Sequence, residues 1–347
     1  MPVTVVVGGQ FGGEGKGKVA HFLAKEMEAK VAVRVGGTNS GHTVIDPFGN
    51  AIILRQLPTA SILRNVICVL SAGSYIDVGI LFDEIKRTGL SQDRLFIDPN
   101  AVIITENEVN DEKASSLRDS IGSTLSGTGA AVSRRISRDG SAKLAKNDER
   151  LKPFTRPIIP LMRNVLSGGG RIIIEGTQGF GLSILHSPYY PCATSRDTTA
   201  AGFVSEAGLS PLDVDDIVLV IRAFPIRVGG NSGYLPNEIS WEAVDAESNN
   251  QRKVLEHTSV TKTIRRVARF DPEIVNMAIM ANQPTRIVLN HLDYIDVQCS
   301  VSNALTNKSS KVIDEIEYLI KRKIDHLGFG PSSIVMRSDY KRKVGLA

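Results

Sequence analysis

The stretch Val5-Val6-Val7-Gly8-Gly9-Gln10-Phe11-Gly12-Gly13-Glu14-Gly15-Lys16-Gly17-Lys18 decides how the chain is read. Its three β-branched residues predict a buried strand, and the glycines after them leave backbone N–H groups free to face an anion. The amphipathic segment from about Lys18 to Lys25 predicts a helix whose positive end adds to the same field. Gly12, Gly13, Glu14, Gly15, Lys16, Gly17 and Lys18 are therefore the candidate phosphate-binding residues. The pattern G-x-x-x-x-G-K-[ST] is met only in part, because Gly17 stands where a metal-binding hydroxyl belongs. A strand-to-helix turn that needs glycine only for positive φ is the plainer alternative.

Outward from this loop, short apolar runs recur at Val31-Ala32-Val33, 66–70, 101–104, Ile172-Ile173-Ile174, 217–221 and Ile287-Val288-Leu289. They have the composition of strands buried on both faces. Helix-period segments at 80–86, 160–166 and 312–324 lie between them. The alternation predicts an α/β fold, P-loop-NTPase-like, with a mostly parallel central sheet flanked by helices. Thr43-Val44-Ile45 and Ala51-Ile52-Ile53-Leu54 flank a Pro/Gly turn and predict an inserted hairpin. No low-complexity linker divides residues 1–347, so one domain is expected. The polar stretches 144–150 and 247–253 read as helical surface or excursions, Trp241 as packing near the surface, and Lys341-Arg342-Lys343 as a solvated tail.

Composition narrows the function. The chain has 347 residues, 42% hydrophobic and 22% charged, and a net charge of +4 from 41 basic and 37 acidic residues. That excess is too small for a nucleic-acid groove but suits anionic small substrates. The N-terminal residues have no secretory pattern and no run reaches membrane-span length, so a cytoplasmic protein without nucleic-acid or membrane partners is expected. Cys68, Cys192 and Cys299 are too scattered for a disulfide framework or a zinc site.

Three further loops carry chemistry. Gly36-Gly37-Thr38-Asn39-Ser40-Gly41-His42-Thr43 follows a buried strand, and glycines around His42 let a ligand approach the ring. Gly122-Ser123-Thr124-Leu125-Ser126-Gly127-Thr128-Gly129 precedes Arg134, Arg135 and Arg138. Hydroxyls followed by guanidinium groups read as a phosphate-monoester site, or as a solvated loop with a basic helix face. Glu175-Gly176-Thr177-Gln178-Gly179-Phe180-Gly181 repeats the strand-then-glycine pattern, with Gln178 placed to read a base edge.

Taken in order, the first loop, Asn39-Ser40-Gly41-His42-Thr43, Ile121-Gly122-Ser123-Thr124, Glu175-Gly176-Thr177-Gln178-Gly179, Tyr190-Pro191…Thr194-Ser195 and Leu289…Leu292-Asp293 resemble adenylosuccinate synthetase across nearly the whole chain, and the short length resembles its compact archaeal-type members. The resemblance implies a two-step ligation. A nucleoside triphosphate phosphorylates the 6-oxygen of a purine monophosphate, and the aspartate amine then displaces phosphate. It makes Lys16, His42 and Gln178 catalytic. Asn39, Ser123, Thr124, Arg138, Gln178 and Thr194 bind the purine nucleotide, with Arg138 coming from the partner of a homodimer. The donor is held by the first loop with Gly41, His42, Thr43, Asn290 and Asp293. Magnesium is held near Gly13 and Gly41, with the Gly41 carbonyl as a ligand. Val260, Thr261, Lys262, Thr263 and Arg265 form the aspartate loop.

Two departures from the family pattern point to the substrate. Gly13 stands where the family has an aspartate that acts as base toward purine N1, a loss worth about 10²–10⁴-fold in rate if nothing replaces it. It also opens space beside C2, where guanine carries an amino group. Thr263 replaces an arginine that contacts the ribose 2′-hydroxyl. Together they resemble the phage-type branch, which makes N6-succino-2-amino-2′-deoxyadenylate from dGMP. The alternatives are ordinary synthesis from IMP with GTP, and a non-catalytic nucleotide switch. Asp293 keeps the guanine-type acceptor while His291 replaces a lysine, leaving ATP, dATP and GTP open as donors. Glu14 or a magnesium-held water is the candidate replacement base.

Overall fold

The computed structural model describes residues 2–248, 254–258 and 262–338. Its strands, in chain order, are β1 (Val3–Gly8), β2 (Val31–Gly36), β3 (His42–Ile45), β4 (Ala51–Leu54), β5 (Ile67–Ile76), β6 (Leu95–Ile97), β7 (Val102–Ile103) and β8 (Ile172–Glu175). They continue with β9 (Val214–Arg222), β10 (Ile226–Arg227), β11 (Glu238–Ile239), β12 (Arg266–Ala268), β13 (Arg286–Asn290), β14 (His326–Gly328) and β15 (Ile334–Met336). The main sheet runs β15-β14-β13-β9-β1-β8-β2-β5-β6, with β7 also on β5, and only the β14–β15 pair is antiparallel.

β1 lies in the middle because it can be apolar on both faces. Val5 and Val7 pack with Ile174, Phe203, Leu219 and Val275 on one side. Val6 packs with Val19, Leu23, Ile173 and Val218 on the other, beneath the helix Lys16–Glu26. The register Val5↔Ile174 and Val5↔Ile217 aligns β1, β8 and β9, so their C-terminal loops leave the same sheet edge. The β2 and β13 loops leave there too, as α/β ligand sites require.

Each predicted strand run is present, although 101–104 reduces to the two residues of β7. The predicted hairpin is β3–β4, with Thr43 opposite Ile53. The first helix begins at Lys16 rather than Lys18, because left-handed Gly15 turns the chain directly into it. The 312–324 segment is helical over Asn307–Ile320 and stops at left-handed Lys321. The 144–150 stretch forms two 3-10 turns, Ala145–Asn147 and Glu149–Leu151. The tail 341–343 lies outside the described residues, as does 249–253.

Candidate active site

The first loop is held open by an anion of its own. Fully buried Glu14 accepts from Gly12 N at 2.8 Å and Gln10 N at 3.2 Å through Oε1, and its Oε2 pairs with Lys16 Nζ at 2.6 Å. The carboxylate thus keeps the amides turned inward and the Lys16 side chain in place, the shape an incoming phosphate needs. Both oxygens of Glu14, the candidate replacement base, are thus engaged within the loop. Asn290 Nδ2 donates to Glu14 O at 2.7 Å, leaving no room for a side chain on Gly15. Gly17 abuts His42 and Thr59.

Lys18 turns away from the cradle and donates to Gly330 O at 2.7 Å. Burial brings its ammonium down to about 8, with Asp293 nearby opposing the shift. Around it at the end of β13, Asn290 Oδ1, His291 Nε2 and Asp293 Oδ1 are buried without hydrogen-bond partners. Three orphaned acceptors in one corner fit a ligand edge that carries N–H donors.

His42 and Glu175 form the centre of the site. Glu175 Oε1 accepts from His42 Nδ1 at 2.6 Å and Arg34 Nη1 at 2.9 Å, while Oε2 accepts from Thr59 N at 2.8 Å and Thr59 Oγ1 at 2.7 Å. Arg34 Nη1 also contacts His42 Nδ1. Burial, reinforced by the Arg34 charge, lowers the His42 pKa to about 4. Burial opposes ionisation of Glu175, but the hydrogen bond from His42, with the Arg34 charge and the Thr59 hydrogen bonds, outweighs it and lowers the carboxyl pKa. The neutral imidazole is fixed with Nδ1 on the carboxylate.

The expected nucleotide loops meet beside this pair. Asn39 Nδ2 lies 3.4 Å from Thr194 Oγ1, Ser40 Oγ 2.5 Å from Thr177 Oγ1, and Thr38 Oγ1 3.5 Å from Ser126 O. Thr124 Oγ1 bonds Ser126 Oγ at 3.2 Å, and Ser123 Oγ accepts from Leu125 N at 3.2 Å. Gln178 reaches left-handed φ and packs on Gly12. On the basic face that follows, the plainer reading holds for Arg134 and Arg135, whose guanidinium groups are engaged within the chain. Arg134 pairs with Glu108 and Asp111, Arg135 caps Ala72 O and Asn100 O, and Glu112 occupies the amides of Gly127, Gly129 and Ala130. Arg138 is exposed at the far end of the helix Thr128–Ser137, about 15 Å along its axis from the loops, so its own chain does not bring it to the site.

The aspartate loop is described in part: Val260 and Thr261 lie outside the described residues, and Lys262 and Thr263 are exposed. Thr263 Oγ1 sits 3.2 Å from Thr258 Oγ1. Arg265 reaches the first loop, its Nη1 2.6 Å from where a Cβ on Gly13 would lie. Trp241 is more than packing: its buried indole donates to Arg265 O at 2.7 Å. Gly13 O accepts from Arg222 Nη1 at 2.9 Å, and Arg222 pairs with Glu256 at 2.5 Å. Arg222 holds Glu256 at about 2 against its burial. A guanidinium on the Gly13 carbonyl takes the place a metal ion would need, so that residue does not fit as a magnesium ligand. Gly41 keeps its carbonyl free of such a partner among the described residues, which contain no cluster of three or more His, Cys, Asp or Glu suited to a metal. A magnesium ion here fits as one carried chiefly by phosphate oxygens.

Sequence reasoning gave no role to Glu175, Arg34, Thr59, Arg222, Glu256 or Ile226. Two of them carried a signal: Arg34 interrupts the apolar strand β2 and Arg222 follows the apolar run 217–221, and a charge buried in such surroundings survives only with a partner. Both are buried.

Glycine loops on parallel strand ends, a lysine in an amide cradle and a carboxylate-held histidine define an α/β nucleotide-binding protein. The adenylosuccinate synthetase family model matches residues 5–143 and 140–303, and the chain belongs to that family. It is accordingly a carbon–nitrogen ligase that uses a nucleoside triphosphate. The adenylosuccinate synthetase of Thermococcus onnurineus is 36% identical over 339 residues, 95% of this chain and 96% of that protein. The Methanocaldococcus jannaschii protein is 35% identical over 338 residues, 95% of each. Fully ligated adenylosuccinate synthetase from Plasmodium falciparum shares the fold, with a TM-score of 0.85 at 21% identity over 97% of this chain and 100% of that one. Cyanophage S-2L succinoaminodeoxyadenylate synthetase, bound to dGMP and to dATP as an energy donor, gives 0.83 at 26% identity over 99% and 98%. No helix among the described residues is long and apolar enough to cross a membrane.

Proposed function

We propose that this ligase joins L-aspartate to the 6-position of dGMP, giving N6-succino-2-amino-2′-deoxyadenylate. The 6-oxygen attacks the γ-phosphorus and the nucleoside diphosphate leaves. The aspartate amine then attacks C6 and phosphate leaves, carrying the former 6-oxygen. Asn39, Ser123, Thr124, Gln178 and Thr194 hold the purine nucleotide, joined by Arg138 of a partner subunit in a homodimer. The first loop, Gly41, His42, Thr43, Asn290 and Asp293 hold the triphosphate. Residues 260–265 take the aspartate, with Arg265 on a carboxylate. Magnesium supplies charge neutralisation on the phosphates. Lys16 and His42 shield charge on the transferring group, and Glu175 keeps the imidazole turned for it.

The observation that carries the choice of dGMP is Gly13. Its Cβ position is walled by Ile226 Cδ1 at 2.4 Å and Arg265 Nη1 at 2.6 Å, so the family's carboxylate has no room there. Thr263, short where the family has an arginine that contacts the ribose 2′-hydroxyl, agrees with a deoxyribose. The cyanophage protein, bound to dGMP, is similar along nearly the whole chain. The second reading, an ordinary synthetase acting on IMP, is favoured by the archaeal relatives at 35–36% identity.

Turnover with magnesium, aspartate and each triphosphate decides between them. Product from dGMP is expected, and robust activity on IMP with none on dGMP overturns the proposal. The orphaned acceptors at Asn290, His291 and Asp293 suit the amino-bearing edges of ATP, dATP and GTP alike. Donor competition in the same assay ranks them. Phosphate release independent of aspartate would instead mark a nucleotide switch.

A further inference from the structure

Residues 256–265 form a loop that closes on itself at its base. Arg265 N donates to Glu256 O at 2.9 Å, Thr258 N donates to Thr263 O at 2.8 Å, and His257 bridges Ile264 in antiparallel register. Such a loop keeps its own shape, but its placement over the site depends on what grips its base from outside. The second arm is gripped by the Trp241 indole, which donates to Arg265 O. The first arm carries Glu256, whose carboxylate is held by Arg222 at 2.5 Å. Among the described residues, no other ion pair reaches this loop.

Arg222 is itself fixed to the phosphate loop twice. At the end of β9 its N–H donates to Gln10 Oε1 at 2.9 Å, and Gln10 Nε2 donates back to Arg222 O at 3.0 Å. Its fully buried side chain then sends Nη1 to Gly13 O at 2.9 Å and Nη2 to Glu256 Oε1. A planar guanidinium fixes the angle between two such partners, and the Tyr294 ring, 5.3 Å away, packs against it. The same ring meets Trp241 edge-on at 6.2 Å, so the two grips on the aspartate loop are braced by one side chain. A buried ion pair stabilises a fold little more than a well-packed apolar pair would, so its geometry suits positioning better than stability.

We propose that Arg222 is a positioning residue for the ligation, an interlock that seats the aspartate loop on the phosphate loop through Glu256 and thereby sets the affinity for L-aspartate. The proposal rests on the assignment of residues 260–265 to aspartate. Arg222 acts at one remove from the substrates: through Glu256, whose carbonyl carries Arg265 N, and through Gly13, whose carbonyl belongs to the cradle. The two ends are separable. Removing the charge of Glu256 frees the aspartate loop alone, whereas removing Arg222 frees both loops.

The test is steady-state KM for L-aspartate, purine monophosphate and triphosphate in Glu256→Gln, Arg222→Met and the double variant, each with its melting transition. Glu256→Gln is expected to raise the aspartate KM about tenfold, the scale of one charge-assisted hydrogen bond, with the other two KM values within about twofold. Arg222→Met is expected to raise the aspartate KM about as much and the triphosphate KM about threefold, because the Gly13 contact is lost as well. The double variant is expected to match Arg222→Met, since Glu256 then has no partner left to lose. A residue that only braced the fold would lower Tm and leave all three KM values in place. That result, an unchanged aspartate KM in Glu256→Gln, or aspartate effects that multiply in the double variant overturns the proposal.

Should Arg222→Met not fold, Glu256→Gln alone decides, because its side chain is 20% exposed and the amide can turn to solvent. The assignment beneath the proposal fails separately: it fails if Arg265→Ala leaves the aspartate KM unchanged, or if wild-type enzyme joins aspartate to neither dGMP nor IMP.

Discussion

Glu175→Gln preserves volume but exchanges one carboxylate oxygen for an amide nitrogen amid four donors. Arg34 and the Thr59 backbone N–H can only donate, while the Thr59 hydroxyl can turn. The lowest-cost arrangement keeps the amide oxygen toward Arg34 and His42 and points the NH₂ at Thr59 N, now 2.8 Å away and left without an acceptor. An orphaned buried N–H costs about 1–3 kcal/mol, and weakening a charge-assisted bond adds about 1 kcal/mol, so about 3 kcal/mol is expected in total. With roughly 2.1 cal/mol/K of unfolding entropy per residue, that lowers Tm by about 4 °C. The catalytic effect is larger than the thermal one. His42 loses the anion that fixes its Nδ1 proton, and kcat falls about 10²-fold with little change in the KM of the triphosphate. The assay pairs thermal unfolding with steady-state phosphate release. A lowered Tm with undiminished kcat would show that Glu175 only braces the sheet edge. Undiminished values of both would refute the network.

Three further outcomes follow from the same geometry. Because burial holds His42 near 4 rather than its ordinary 6.5, stability is full above about pH 6.5 and declines as pH falls toward 4; in His42→Asn that decline is shallower by calorimetry. Glu14→Gln removes the internal anion, so Lys16 loses its partner and the cradle loosens. The triphosphate KM rises at least about tenfold, whereas an unchanged KM would mean the loop needs no anion of its own. Mixing Arg138→Ala with His42→Asn subunits under exchange conditions regains about a quarter of wild-type activity if Arg138 serves the partner's site, and none if it does not.

Much of the fold was legible because its signals are local. β-Branched runs predict buried strands wherever they occur, and each glycine loop follows such a run, so a parallel α/β sheet with its site at one edge needed no coordinates. The loops that carry Lys16, His42 and Gln178 were legible for the same reason, Asn39 and Thr194 were singled out only by the family resemblance, and the structure brings these loops together. The basic run after Thr128 stayed ambiguous in the sequence, since nothing local reveals that acids on the helix Glu106–Ala114 already claim Arg134 and the loop amides.

What one stretch of chain determined by itself was therefore the kind of element and the chemistry it carries: a strand, then glycines, then lysine. Tertiary structure alone decided how each charge is matched. Glu175 meets His42 across 133 positions and Arg222 meets Gly13 across 209. Gly13 shows the division most clearly. Its identity is read from one position, but the meaning of its missing side chain depends on Ile226 and Arg265, which only folding brings to that slot. Steric exclusion and charge pairing act through space, and spacing along the chain does not encode them.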